Sequence, residues 1–247
     1  MTIPPASAGS PQLSVVLPTY NEAGNVAALI DGIRSAMGGT PIEIIVIDDG
    51  SPDGTLGIVR ELAAADPRIR LIERAGKQGL SSAVFAGADA AEGSYVAVMD
   101  ADLSHDPEEL PDMLAKAIQG YDVIIGSRFV RGSANQGQPL VRRAMSVLLN
   151  TGARLVLQLR PNDVLTGYVL CRRELLLTTM PTRYSAGGFK WLIELLATQR
   201  GIRVHEWPIR FRNREQGSSK ANLQEVLTFT ILCARLTAWR IRRVLGR

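Results

Sequence analysis

A chain of 247 residues, 46% hydrophobic and 21% charged with 23 Gly and 13 Pro, has the composition of a folded globular protein rather than a disordered or fibrous one. Its Cys171 and Cys233 stand far apart and outside any metal-ligand or C-x-x-C spacing, which excludes a disulfide framework and points to a reducing compartment. The formal charge of +4 is unevenly held: from Arg200 onward eleven Lys and Arg face three Glu (+8), against 17 basic and 21 acidic residues before it (−4), so a basic tail calls for an anionic partner.

Residues 1–11 are small and Pro/Ser-rich, without the basic start and apolar run of a signal peptide, and read as a flexible leader. Residues 13–18 form an apolar strand, and the spacing of Val26, Leu29, Ile30 and Ile33 predicts a helix over 22–37. The order then repeats: strand 42–47, helix 52–65, strand 69–73, helix 80–91, strand 95–99, helix 107–119, strand 122–125. Strands apolar on both faces that alternate with helices predict an α/β fold, a mostly parallel Rossmann-like sheet with helices on both faces. Beyond Leu140 the alternation loosens into helix 141–159, strand 166–172, helix 189–198, strand 204–211, a polar loop 213–219 and a helix over 223–245. With no linker or repeat, 12–220 read as one domain and 221–247 as a C-terminal basic amphipathic helix. No run of about 18 apolar residues occurs, so no membrane span is expected. The last helix sets Arg235, Arg240, Arg242, Arg243 and Arg247 beside an apolar stripe, which suits either a helix lying in a membrane interface or one packed on the domain.

Parallel sheets bind ligands beyond the carboxyl ends of their strands. Four polar strand ends should therefore share one edge: Pro18-Thr-Tyr-Asn-Glu22, Asp48-Asp-Gly-Ser-Pro-Asp-Gly54, Asp100-Ala-Asp102 and Gly126-Ser-Arg-Phe129. If the fourth strand continues, Asp100 and Asp102 project to one side, and their hard oxygens suit Mg²⁺ or Mn²⁺. Asp106, Glu108 and Glu109 fit the N-cap and first turn of a helix instead. A turn needs only one acid, so the doubled Asp48-Asp49 points one carboxylate at a ligand such as a nucleobase or ribose hydroxyl. His105 either orients Asp100 or Asp102 or sits in solvent, and His205 is read as structural.

Leu17-Pro-Thr-Tyr-Asn-Glu22, Ile47-Asp-Asp-Gly-Ser-Pro-Asp-Gly-Thr55, Met99-Asp-Ala-Asp-Leu-Ser-His105, Gly126-Ser-Arg128 and Gly217-Ser-Ser-Lys220 follow in an order that resembles the dolichyl-phosphate (polyprenyl-phosphate) mannosyltransferases, inverting family 2 glycosyltransferases with a GT-A fold. The resemblance implies GDP-mannose as donor and a membrane polyprenyl (dolichyl) phosphate as acceptor. It carries Pro18, Tyr20, Glu22, Ile47 and Asp49 to the guanosine side. Asp100, Ala101 and Asp102 go to the diphosphate, directly or through Mg²⁺ or Mn²⁺ held by Asp100 and Asp102. Arg128, Arg214 and Lys220 meet its charge, Arg142 and Ser146 the acceptor phosphate, and Asp100, Asp102 and Arg128 form the catalytic group. It also implies a peripheral enzyme at the cytoplasmic face of a membrane, reached through the C-terminal helix or a membrane-anchoring partner protein. A phosphatase or receiver-type reading has no use for Gly217-Ser-Ser-Lys220, and nucleic acid is not an expected partner because no aromatic platform accompanies the basic tail. Where the family has D-x-T-x-x-F-R and Y-x-F-Q, this chain has Leu165, Val169 and Leu192. Those departures leave open another nucleotide sugar (glucose or an N-acetylhexosamine) or a non-catalytic nucleotide-sugar-binding protein.

Overall fold

The structure is a computed structural model that describes residues 11–135, 140–179, 191–212 and 223–244. The elements run β1 (Leu13–Thr19), α1 (Val26–Met37), β2 (Ile42–Asp48), α2 (Thr55–Ala65), β3 (Ile69–Glu73), α3 (Leu80–Ala90), β4 (Tyr95–Val98), a 3₁₀ turn (Pro107–Glu109), α4 (Leu110–Ile118), β5 (Val123–Ser127) and β6 (Ala134–Asn135). They continue through α5 (Leu140–Leu157), β7 (Val169–Arg172), α6 (Arg173–Thr179), α7 (Trp191–Thr198), β8 (Val204–Pro208), β9 (Arg210–Phe211) and α8 (Leu223–Val244).

Seven strands form one sheet in the order β3-β2-β1-β4-β7-β5-β8. Alternate residues of each strand supply two cores. On one face Leu13, Val15, Leu17, Ile44 and Val46 meet the stripe Leu29, Ile30 and Ile33 of α1 and Leu110, Met113 and Leu114 of α4. On the other, Val16, Ile45, Val96 and Val98 pack beneath α3, α6 and α7 and the inner sides of α5 and α8. Gly87 lets α3 approach closely, since a Cβ there would run into the Val16 side chain.

Every strand pairing in this sheet is parallel except those of β7, which lies antiparallel between β4 and β5 with Leu170 opposite both Ala97 and Ile124. A strand running the other way begins where its neighbours end. The loop entering β7 therefore arrives at the carboxyl edge of β4 and β5, which places residues 159–168 among the polar strand ends. The strand expected over 166–172 is thus a short β7, Val169–Arg172, preceded by a loop at that edge.

Of the two settings open to the C-terminal helix, packing on the domain holds for part of its apolar stripe: Phe229, Leu232, Cys233 and Leu236 of α8 are buried in the core above the sheet, while Ile231 is exposed. No helix among the described residues is long and apolar enough to cross a bilayer.

Candidate active site

The loops after β1 and β2 are laced by backbone donors. Asn21 N donates to Ser51 Oγ (2.9 Å), Glu22 N to Thr55 Oγ1 (3.0 Å) and Ala23 N to Asp53 Oδ2 (3.0 Å). This clamp presents Tyr20, 39% exposed, with Lys77 Nζ 4.6 Å from its ring centroid. Pro18 is half-buried before it, and Glu22 accepts from Asn25 Nδ2 at 2.8 Å.

The paired acids divide their work. Asp48 is fully buried and accepts from Thr19 Oγ1 (2.8 Å), Ser51 N (2.8 Å) and Ser51 Oγ (2.6 Å), which makes it the internal peg of the turn. Asp49 accepts from Arg74 Nε (2.6 Å), Gln78 N (3.0 Å) and Gly79 N (3.2 Å), so it holds the loop that carries Lys77. The Ile47 and Ala101 side chains are both in the core and present no surface to a ligand. Any contact they make is through the backbone.

β4 ends at Val98, so strand alternation does not orient Asp100 and Asp102. They stand instead in an irregular loop in which Leu103 adopts φ 60°, a left-handed conformation unusual for a bulky residue. The loop holds it there because Asp102 Oδ1 accepts from Ser104 N (3.1 Å) and Ser104 Oγ (2.5 Å) while Leu103 packs on the core. Asp102 is buried and Asp100 half-buried. A Cβ on Gly167 would collide with the Asp100 carboxylate, so the loop entering β7 forms the wall against which that carboxylate rests. Asp106 is the N-cap of the 3₁₀ turn, accepting from Glu108 N at 3.2 Å, and its Oδ2 also meets Arg212 Nη2 at 2.9 Å.

His105 is not in solvent: it is 2% exposed, stacked on Tyr168 (5.0 Å) and edge-on to Phe211 (5.7 Å). Burial pushes its imidazole below the ordinary 6.5 although the charges of Asp100 and Asp102 oppose this, so it is neutral near pH 7. Its Nδ1 has no hydrogen-bond partner among the described residues, and its ring packs the acid loop. His205 lies in β8 against Tyr121 and Trp207, a structural placement.

Arg128 follows β5 and is held by a two-pronged ion pair, Nε to Asp163 Oδ2 (2.7 Å) and Nη2 to Asp163 Oδ1 (2.8 Å), with its guanidinium over the Phe129 and Phe211 rings. Asp163 is fully buried, and its segment is anchored by Glu206, which accepts from Asn162 N (2.8 Å) and Asp163 N (3.1 Å). Asn150 of α5 accepts from Val164 N at 2.8 Å and donates to the Ser146 carbonyl at 2.9 Å, tying the helix to the same loop. Asp163, Gly167, Glu206 and Lys77 are thus parts of the site that the strand-end rule did not single out. The signal for the first was the D-x-T-x-x-F-R pattern, whose leading acid is Asp163. Val169 is fully buried between β4 and β5, Leu165 packs on the core and Leu192 is buried in α7, so the three departures line no open cleft here. Arg214, Lys220 and the Arg142 side chain lie outside the described residues. The α5 backbone places position 142 one turn before Ser146, which is half-buried.

No group of three His, Cys, Asp or Glu side chains is arranged to hold a metal among the described residues. Asp100 and Asp102 offer two hard carboxylates, a donor type that would suit Mg²⁺ or Mn²⁺.

A twisted, mostly parallel sheet with helices on both faces and an acidic loop at its carboxyl edge defines a GT-A glycosyltransferase fold. The profile of glycosyl transferase family 2 matches residues 14–178, and the chain belongs to that family; it is a glycosyltransferase. It is 38% identical over 242 residues to a polyprenol monophosphomannose synthase of Mycolicibacterium smegmatis, covering 94% of this chain and 88% of that one. A dolichol-phosphate mannosyltransferase of Pyrococcus furiosus is 35% identical over 230 residues, covering 92% of this chain but 64% of that protein's length. Among solved structures, glucosyl-3-phosphoglycerate synthase from Mycobacterium tuberculosis, in complex with Mn²⁺, UDP-glucose and glycerol 3-phosphate, superimposes with a TM-score of 0.68 at 24% identity over 93% of this chain and 82% of that one. This last likeness is one of fold.

Proposed function

We propose that this chain transfers mannose from GDP-mannose to the phosphate of a membrane polyprenol, with inversion at the sugar carbon. The observation that carries the reading is the 38% identity to a polyprenol monophosphomannose synthase across 94% of this chain and 88% of the relative.

The chemistry suits the residues. A phosphate monoester has a second pKa near about 6, so the acceptor is an anionic nucleophile at neutral pH and no general base is required. The protein must align that oxygen for in-line attack and balance the charge that builds on the departing nucleotide. Tyr20 offers its exposed ring to the nucleobase, with Pro18 and Glu22 beside it, while Asp49 keeps the facing loop in place. Asp100 and Asp102 would hold Mg²⁺ or Mn²⁺, which would supply positive charge to the diphosphate. Asp163 and the two phenylalanine rings fix Arg128 at the same edge, and the fixed cation adds to that charge without reorganising during the reaction. Arg214 and Lys220 complete the donor side; Arg142 and Ser146 receive the acceptor phosphate.

The test is transfer by purified protein, with Mg²⁺ or Mn²⁺, from a panel of labelled nucleotide sugars to a short polyprenyl phosphate. GDP-mannose is expected to be the preferred donor; preference for a glucose or N-acetylhexosamine nucleotide would overturn the assignment. Asp102→Asn should abolish transfer with an unchanged unfolding curve, and metal stripping by a chelator should do the same until Mg²⁺ or Mn²⁺ is restored. Retention of more than about a few per cent of activity in either case contradicts charge stabilisation through this site.

A further inference from the structure

The loop after β3 is braced from within and leaves one cation in the open. Arg74, its side chain 8% exposed, donates through Nε to Asp49 Oδ1 (2.6 Å), through Nη1 to Ser82 Oγ (2.7 Å) and through Nη2 to the Gly79 carbonyl (3.1 Å). Asp49, equally buried, accepts in return from the backbone of Gln78 and Gly79. The loops after β2 and β3 also touch directly, since a Cβ on Gly50 would stand 3.1 Å from the Gly76 nitrogen. Burying two charges costs desolvation, and what these bonds fix in return is the course of residues 75–79. At the tip of that loop Lys77 is exposed, and its ammonium reaches past β2 to lie 4.6 Å from the centroid of the Tyr20 ring.

Strand order decides what this cation can meet. From the sheet edge inward the carboxyl ends run β3 with Lys77, β2 with Asp49, β1 with Tyr20 and β4 with the acid loop. Three strand spacings of about 4.8 Å put the ends of β3 and β4 on the order of 14 Å apart. A donor whose diphosphate lies at Asp100 and Asp102 and whose base lies on Tyr20 therefore runs toward β3, and Lys77 meets the base rather than the diphosphate. An ammonium has donors and no acceptor, so it favours a base edge made only of acceptors. Guanine presents such an edge, O6 beside N7, whereas adenine has an amino donor where guanine has O6. We propose that Lys77 sets the choice of nucleobase: with a purine laid on Tyr20, the ammonium leaves the ring face and donates to O6 and N7 of guanine. Asp49 and Arg74 are positioning residues that act through it by holding the loop. The exchange is favourable because a hydrogen bond from a charged donor is stronger than a cation–π contact at an exposed ring. This inference rests on the proposed GDP-mannose donor and deepens it.

The test titrates the full-length protein calorimetrically with GDP, IDP and ADP in the presence of Mn²⁺. The parent should bind GDP at least about tenfold more tightly than ADP, and Lys77→Met should weaken GDP by about tenfold and ADP by less than about twofold. Inosine keeps O6 and N7 and lacks only the 2-amino group, so IDP should lose as much as GDP. Lys77→Arg keeps a donor cation and should preserve the preference. Because Lys77 is exposed, the variants should unfold at the parent's temperature; if Lys77→Met does not, Lys77→Gln replaces it. An equal loss for all three nucleotides would place the cation on the diphosphate, and a loss for GDP without one for IDP would place it on another edge of the base. Either result, or an unchanged ratio of GDP to ADP affinity, overturns the proposal and leaves the GDP-mannose reading standing. A parent that binds GDP no more tightly than ADP overturns both.

Discussion

The Asp100 carboxylate occupies the space that a side chain on Gly167 would need. Gly167→Ala should therefore push the carboxylate out of place, costing about 1–3 kcal/mol of stability as an overpacked site and lowering transfer more steeply than that loss alone explains. Urea unfolding and initial rates on one preparation check both effects. Elsewhere a single residue carries a pH signature. Hydrogen bonds from Arg68, reinforced by the charges of Arg68 and Arg34, hold Asp66 at about 2, below its ordinary 3.8. A carboxyl depressed in the folded state contributes stability fully above the unfolded value and loses it as pH falls through the folded one. The gap in urea midpoint between the parent and Asp66→Asn should thus be constant above pH ~4 and close between pH ~4 and ~2.

Two helices that each carry apolar residues on more than one side distribute them differently. α8 buries Phe229, Leu232, Cys233 and Leu236, and α5 exposes Met145, Leu148 and Leu155. An apolar periodicity reports that one side of a helix avoids water, but not which neighbour it avoids water with. Leu236→Ala should cost about 2–5 kcal/mol, as expected of a leucine fully enclosed in a core, measured by chemical denaturation. Removal of everything after Lys220 should for the same reason lower stability rather than simply release a membrane anchor. β7 shows the converse dependence of an element on its neighbours. Placed antiparallel between β4 and β5, it turns the preceding loop into the wall of the acid site and brings Asp163 to Arg128.

In the whole molecule, β4, β7 and β5 are interior strands of the sheet, each flanked on both sides, with a core on each face. Their amides should exchange only through global unfolding, whereas those of the exposed turns at Gly54 and Gly132 exchange by local opening. Native-state hydrogen exchange at Val96, Ile124 and Leu170 against those turns measures the difference. Antiparallel insertion of β7 is also what lets one edge gather segments that are distant in the chain. The acid loop at Asp100, the arginine at 128, the segment at 163–167 and the anchor Glu206 all meet there.

Much of this organisation was legible in the chain alone. The β/α alternation from Leu13 to Ile125, the polar ends of four strands and the ordered motifs that mark the family depend on local hydrophobic period and on which residue types follow a strand, and both are written residue by residue. The direction and position of β7, the burial of α8, the exposure of α5 and the internal use of Asp48 were decided by tertiary structure. Each depends on which surfaces meet, and the free energy of burying a stripe or pairing a carboxylate belongs to the two partners together rather than to either segment.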